Sequence, residues 1–133
     1  MKIVREKDAN IAEICEVLEN NGLVIFPCET TYGAAVDATS GLAVKKLSSY
    51  KVRPFGKPYS IMVTDQEMAE KYVDLNNTAK DLYKKFLPGP MTIISKIQRS
   101  KDPKIQLAQG VASELRTVGV RIPDYPFLIK LVK

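Results

Sequence analysis

Histidine is absent from all 133 residues, and that absence removes whole classes of chemistry. Ser-His-Asp and Cys-His catalysis, histidine-ligated zinc and a near-neutral imidazole base all need that side chain. Cysteine is scarce: Cys15 and Cys28 lie thirteen positions apart with no CxxC spacing. Neither a zinc knuckle nor a thioredoxin-type pair is therefore available, and both thiols are expected to be reduced. Long apolar runs are missing too. No stretch approaches the roughly 18–20 residues that span a bilayer, and the opening MKIVREKDAN has no signal-peptide core. The expected location is cytoplasmic, without a membrane partner. Neither GxxxxGK[ST] nor GxGxxG occurs, which disfavours a P-loop nucleotidase and a Rossmann dehydrogenase. Any reaction must run on positioning and fixed charge, with a metal, if one is used, carried in by the substrate.

What is present fits one soluble domain. The length suits a single core, and 45% hydrophobic and 26% charged residues are ordinary values. The net charge of +5 permits an anionic partner, nucleic acid included, without demanding one.

The pattern predicts alternating short elements. Lys2–Arg5 reads as an edge strand. Asp8 is expected to cap a helix over residues 9–20, with Ile11, Ile14, Cys15 and Leu18 at helical spacing and Gly22 as the stop. Leu23–Phe26 reads as a buried strand, Tyr32–Val36 as another, and their short separation suits antiparallel neighbours. Thr39 or Ser40 caps the next helix, with Leu47 and Tyr50 nearer the core. Strands follow at Ser60–Val63, Met91–Ile97 and Thr117–Ile122, with helices after Asp65, over Asn76–Phe86 and from Tyr125. Ala79, Leu82, Tyr83 and Phe86 are expected inward, Pro88-Gly89-Pro90 ends that helix, and Gln98–Arg116 reads as a mobile loop. The fold class is α+β, or a mixed α/β sandwich.

Several segments carry chemistry. Tyr50–Ser60 sets Lys51, Arg53 and Lys57 around Pro54 and Pro58, which bar a continuous helix and hold the cations on a stiff loop. Such a loop suits a nucleotide phosphate or a polyanion, although a surface turn with scattered lysines has the same composition. Pro27–Gly33, PCETTYG, offers a carboxylate and three hydroxyls at a strand end, with Gly33 allowing close approach. A β-turn whose threonines satisfy local amides is the plainer reading. PGPMT at Pro88–Thr92 is rigid and would either shape a pocket wall or merely terminate a helix, the second being the plainer reading. Arg121, inside an apolar strand, needs an anionic partner: a salt bridge and a ligand contact explain it equally well. Thr117 would share its face.

Taken in order, these segments resemble the YrdC-like family of threonylcarbamoyl-AMP synthases. The family's P-T-[ED]-T-x-Y-G motif is matched by Pro27, Glu29, Thr30, Tyr32 and Gly33. K-x-R-P…K-P is matched by Lys51, Arg53, Pro54, Lys57 and Pro58, PGPxT by Pro88, Gly89, Pro90 and Thr92, and T-V-x-V-R-x-P by Thr117, Val118, Val120, Arg121 and Pro123.

The resemblance implies a twisted open-sheet sandwich around a positively charged cavity. It implies condensation of L-threonine, bicarbonate and ATP, with Mg²⁺ carried on ATP, to threonylcarbamoyl-AMP and pyrophosphate. That product is the intermediate for a modified adenosine in tRNA, passed to downstream tRNA-modification proteins. Lys51 and Arg53 would act as the catalytic and nucleotide-facing cations, with Thr117 beside the nucleotide. Cys28, Thr30, Tyr32, Lys57, Ser60 and Arg121 would contact substrate. No resident metal is implied. Cys28 stands where the family has threonine, and the family's S-x-S-A-N strand is expected to be missing after Lys133, leaving one domain over residues 1–133 with its C-terminal part absent. The alternative is a non-catalytic module that binds a nucleotide, tRNA or double-stranded RNA in the same basic cavity.

Overall fold

The computed structural model describes residues 1–54 and 56–133; Phe55, inside the basic segment, lies outside the described residues. Helix α1, Ile11–Glu19, begins at Asn10, whose side chain accepts from the Ala12 amide at 3.0 Å. Asp8, the expected cap, sits instead in a single 3₁₀ turn, Glu6–Asp8, and accepts from Arg5 Nε at 2.7 Å. Lys2–Arg5 forms no strand and is exposed; the Arg5 carbonyl accepts from the Asp8 amide at 2.9 Å, which starts the 3₁₀ turn instead. The helix stops where Asn21 adopts φ 59°. Gly22 closes the stop: its amide donates to the Val17 carbonyl at 2.7 Å, so near that a Cβ on Gly22 would lie 2.4 Å from Val17 Cγ1.

Strands β1, Val24–Pro27, and β2, Tyr32–Ala35, pair antiparallel, with Phe26 opposite Gly33 and Pro27 opposite Tyr32. Ser40 caps α2, Gly41–Tyr50, which buries Ala43, Val44 and Leu47. Tyr50, expected nearer the core, is exposed, because the last turn runs past the buried face. There follow β3, Ser60–Met62; α3, Gln66–Glu70, capped by Asp65; a short β4, Val73–Asp74; and α4, Asn77–Phe86, capped by Asn76. Then come β5, Ile93–Ile97, β6, Thr117–Arg121, and α5, Pro126–Val132.

The second sheet has the order β3-β6-β5-β4, with β3 parallel to β6 and the other pairs antiparallel. Helices alternate with two open sheets, so the mixed α+β class holds. One face of β6 sends Val118 and Val120 into the main cluster with Ile61, Val63, Val73, Tyr83 and Ile93. Burying each such side chain contributes about 1.5–3 kcal/mol. A smaller cluster of Phe26, Leu128 and Leu131 ties β1 to α1 and α5.

One inward expectation fails in part, and one loop expectation fails. Ala79 and Tyr83 are buried, but Phe86 is exposed at the end of α4, where Lys85 Nζ sits 5.4 Å from its ring centre. Residues 98–116 are docked rather than loose. Val111 is buried, its carbonyl accepts from the Tyr59 amide at 2.8 Å, and the Ala108 amide donates to Ala38 at 2.9 Å.

Candidate active site

A cavity of about 680 Å³ opens between the two apolar clusters. It is walled by the turn after β1, the start of β2, the basic segment after α2, and the strand pair β3–β6. Cys28, Thr30 and Tyr32 reach it from the first sheet, and Lys51, Arg53, Ser60 and Arg121 from the opposite side. Lys57 and Thr117 are not among its walls. Lys57 is exposed, and its carbonyl accepts from Arg53 Nε at 3.4 Å. Thr117 shares a face with Arg121, as its spacing predicts, but stands four residues away, about 13 Å along the strand at ~3.3 Å per residue. Its hydroxyl is hydrogen-bonded to Ser113 at 2.7 Å.

Arg121 is held by an ion pair. Its Nη2 donates to Glu29 Oε1 at 2.5 Å, and both side chains are about one-fifth exposed, at 21%. Its Nε is buried without a hydrogen-bond partner. Burial pushes the Glu29 carboxyl up. The Arg121 hydrogen bond, the amides of Glu29 and Asp124 and the Arg121 charge outweigh that, so it stays below the ordinary carboxylate range.

The turn at residues 28–31 is closed by the Cys28 amide donating to the Thr31 carbonyl at 2.9 Å. The Cys28 thiol donates to the same carbonyl at 2.9 Å and lies 3.4 Å from Thr30 Oγ1. Sulfur thus takes over a hydrogen bond inside the turn. Burial raises this thiol, but hydrogen bonds from Thr30 and Thr31, and then the charge of Arg121, carry it below its ordinary value. Gly33 lines the cavity as well, and its bare backbone is what lets the Phe26 ring approach, since a Cβ there would lie 2.7 Å from that ring across the strand pair.

The basic segment is stapled by its own arginine. Arg53 Nη2 donates to the Pro58 carbonyl at 2.6 Å, and its guanidinium lies 4.6 Å from the Tyr59 ring centre. Tyr59 in turn shares a hydrogen bond with Ser48 at 3.0 Å. Between the two cavity cations, Val52 adopts φ 47°, a left-handed conformation uncommon for a β-branched residue. That turn brings the Arg53 amide back to the Ser48 carbonyl at 3.0 Å.

Thr92 also lines the cavity. Both readings of PGPMT therefore hold: it ends α4 and it lends a residue to the cavity wall. The Gly89 amide donates to the Ile122 carbonyl at 3.0 Å, which docks the break against the end of β6. A second cleft of about 590 Å³, lined by Tyr83, Leu87, Pro88 and Tyr125, contains none of the candidate residues. Among the described residues, no cluster of three or more acidic or cysteine side chains could hold a metal, and no helix is long and apolar enough to cross a membrane.

Comparison with known proteins places this geometry. The Sua5–YciO–YrdC family profile, described as telomere recombination, matches residues 16–133. The "Putative threonylcarbamoyl-AMP synthase" of Methanocaldococcus jannaschii is 39% identical over 137 residues, covering 98% of this chain and 62% of the relative. The threonylcarbamoyl-AMP synthase of Bacillus subtilis is 33% identical over 127 residues, covering 95% of this chain and 35% of the relative. The crystal structure of Pyrococcus abyssi Sua5 complexed with L-threonine superposes with a TM-score of 0.79 at 30% identity, over 98% of this chain and 36% of that one. Escherichia coli YciO shares the fold, with a TM-score of 0.79 at 23% identity over 91% of this chain and 56% of that one. This chain thus spans 35–62% of the length of these curated relatives.

Proposed function

Since the chain belongs to the Sua5–YciO–YrdC family, we propose that it carries the cavity of an ATP-dependent threonylcarbamoyl-AMP synthase. One observation carries the reading: the strand-end turn with Thr30 and Tyr32, the cations Lys51 and Arg53, and Arg121 all line one cavity. The relatives named threonylcarbamoyl-AMP synthase, and the L-threonine complex of one structural relative, support it.

In the proposed reaction the threonine amine attacks the bicarbonate carbon, the C–OH bond breaks, and the hydroxide leaves as water with a proton from the amine, giving a carbamate. A carbamate oxygen then attacks the α-phosphorus of ATP, the bond to the β-phosphate oxygen breaks, and pyrophosphate leaves. Negative charge only moves between oxygens, so fixed cations can lower the barrier without a histidine. Lys51 faces the phosphates and Arg53 holds the segment that presents it. Thr30, Tyr32, Ser60 and Arg121 hold the amino acid, while the Cys28 thiol keeps their turn closed. Mg²⁺ arrives on the ATP phosphates as part of the substrate. Lys57 at the loop surface and Thr117 beyond Arg121 extend the same side towards a long anionic substrate. The product would pass to cytoplasmic tRNA-modification proteins that modify adenosine. Incubation with ATP, L-threonine and labelled bicarbonate tests this: label should enter a nucleotide, and a nucleotide pool without label would sink the assignment.

A second reading is supported by where the cations are spent. Arg53 is bonded to its own loop and Arg121 to Glu29, an arrangement that also suits holding a nucleotide, tRNA or double-stranded RNA without turnover. Binding that weakens steeply with salt, alongside no labelled product, would favour this module over the enzyme.

A further inference from the structure

Gly119 sits at the centre of β6, opposite Ser60 of β3. A Cβ built on it would lie 2.7 Å from Thr92 Cγ2 and 2.9 Å from Ser60 Oγ, closer than real Cβ atoms approach. The missing side chain therefore lets Ser60 and Thr92 close over the strand from either side. Both line the cavity. Both side chains are exposed, and among the described residues neither hydroxyl is hydrogen-bonded to the protein, so each keeps its donor and acceptor capacity for a ligand that displaces water. Two residues on, along the same face, stands Arg121.

We infer that Thr92, with Ser60 and the bare backbone of Gly119, forms a hydroxyl seat beside Arg121 for a small carboxylate-class oxyanion, and that Thr92 is a specificity residue of the site. The inference deepens the synthase reading and rests on it. Glu29 already neutralises Arg121 and occupies Nη2, so charge alone is a poor holder there. An oxyanion in this position gains from neutral donors that can rotate towards it. Lys51 and Arg53 on the same cavity keep the surroundings favourable to a negative ligand. The chemistry fits two sources, the carboxylate of an amino acid and bicarbonate.

The test titrates the 133-residue chain, its T92V variant and its T92S variant with L-threonine and, separately, with bicarbonate. T92V keeps the shape and removes only the hydroxyl, which has no protein partner. Its melting temperature should stay within about 2 °C of the parent, while affinity for at least one probe falls about tenfold. T92S should restore binding to within about threefold, which a purely structural role would not produce. Weakening confined to L-threonine identifies the amino-acid carboxylate as the occupant, and weakening confined to bicarbonate identifies the inorganic ion. Should T92V melt early, Thr92→Ala takes its place, with the same loss expected. Parent and T92V binding both probes equally well would overturn the inference and leave the synthase reading standing. A parent that binds neither probe would overturn both.

Discussion

Arg121 and Glu29 lie 92 positions apart and meet through a 2.5 Å ion pair at the cavity wall. The arginine belongs to a strand and the glutamate to a turn of the other sheet, so the contact fastens β6 to the strand-end loop. Because both side chains are only 21% exposed, losing one partner leaves the other poorly hydrated. Glu29→Gln should therefore lower stability by about 1–3 kcal/mol in urea unfolding. An unchanged midpoint would mean that solvent already screens the pair.

The same pair fixes a pH dependence. The folded Glu29 carboxyl titrates below its ordinary value of 4.5, so its contribution is fully present above that value. It is lost as acidification carries the pH down through the folded pKa. Parent and Glu29→Gln stability curves should accordingly converge below pH 4.5, and curves that stay parallel there would contradict the assignment.

Tyr83 is buried in the main cluster, and its hydroxyl has no partner among the described residues. Burial pushes its pKa up to about 12. An unmet buried hydroxyl costs about 1–3 kcal/mol, so Tyr83→Phe should raise unfolding stability by about 1 kcal/mol. A loss of similar size would reveal a hydrogen bond that the structure does not show.

Val52 holds a left-handed conformation between Lys51 and Arg53 while its side chain is largely exposed. A non-glycine residue pays about 1–2 kcal/mol for that geometry, partly offset against the greater entropy glycine loses on folding. Val52→Gly should give a net gain of up to about 1 kcal/mol in chemical unfolding. Destabilisation would show that the valine side chain contributes packing that its exposure hides.

Much of this frame was legible because its signals are local. Ser40, Asp65 and Asn76 cap helices where hydroxyl, carboxylate and amide side chains precede apolar periodicity. The Tyr50–Ser60 cations could be read as a presented group because two prolines forbid a helix there. Failures arose where neighbours decide. Asp8 and Asn10 are both good caps, and the Arg5 ion pair takes Asp8 out of competition. Residues 98–116 read as loose, yet Val111 supplies a buried side chain and a backbone bridge to Tyr59 that no polar pattern announces. At the site, the need of Arg121 for an anion was visible, but nothing local named Glu29. Gly33 read as a place of close approach; it does line the cavity, but nothing local named Phe26 as the ring that packs on it. For PGPMT the terminator reading outweighed the pocket-wall one, and Thr92 stands in the cavity wall.

The central claim is that this cavity joins L-threonine, bicarbonate and ATP, with Lys51 facing the phosphates. Its most direct test is pyrophosphate release from ATP by the parent chain and by Lys51→Ala. Release that requires both L-threonine and bicarbonate, and falls at least about tenfold in Lys51→Ala, is the predicted result. Release indifferent to either co-substrate, or undiminished by the substitution, would contradict it.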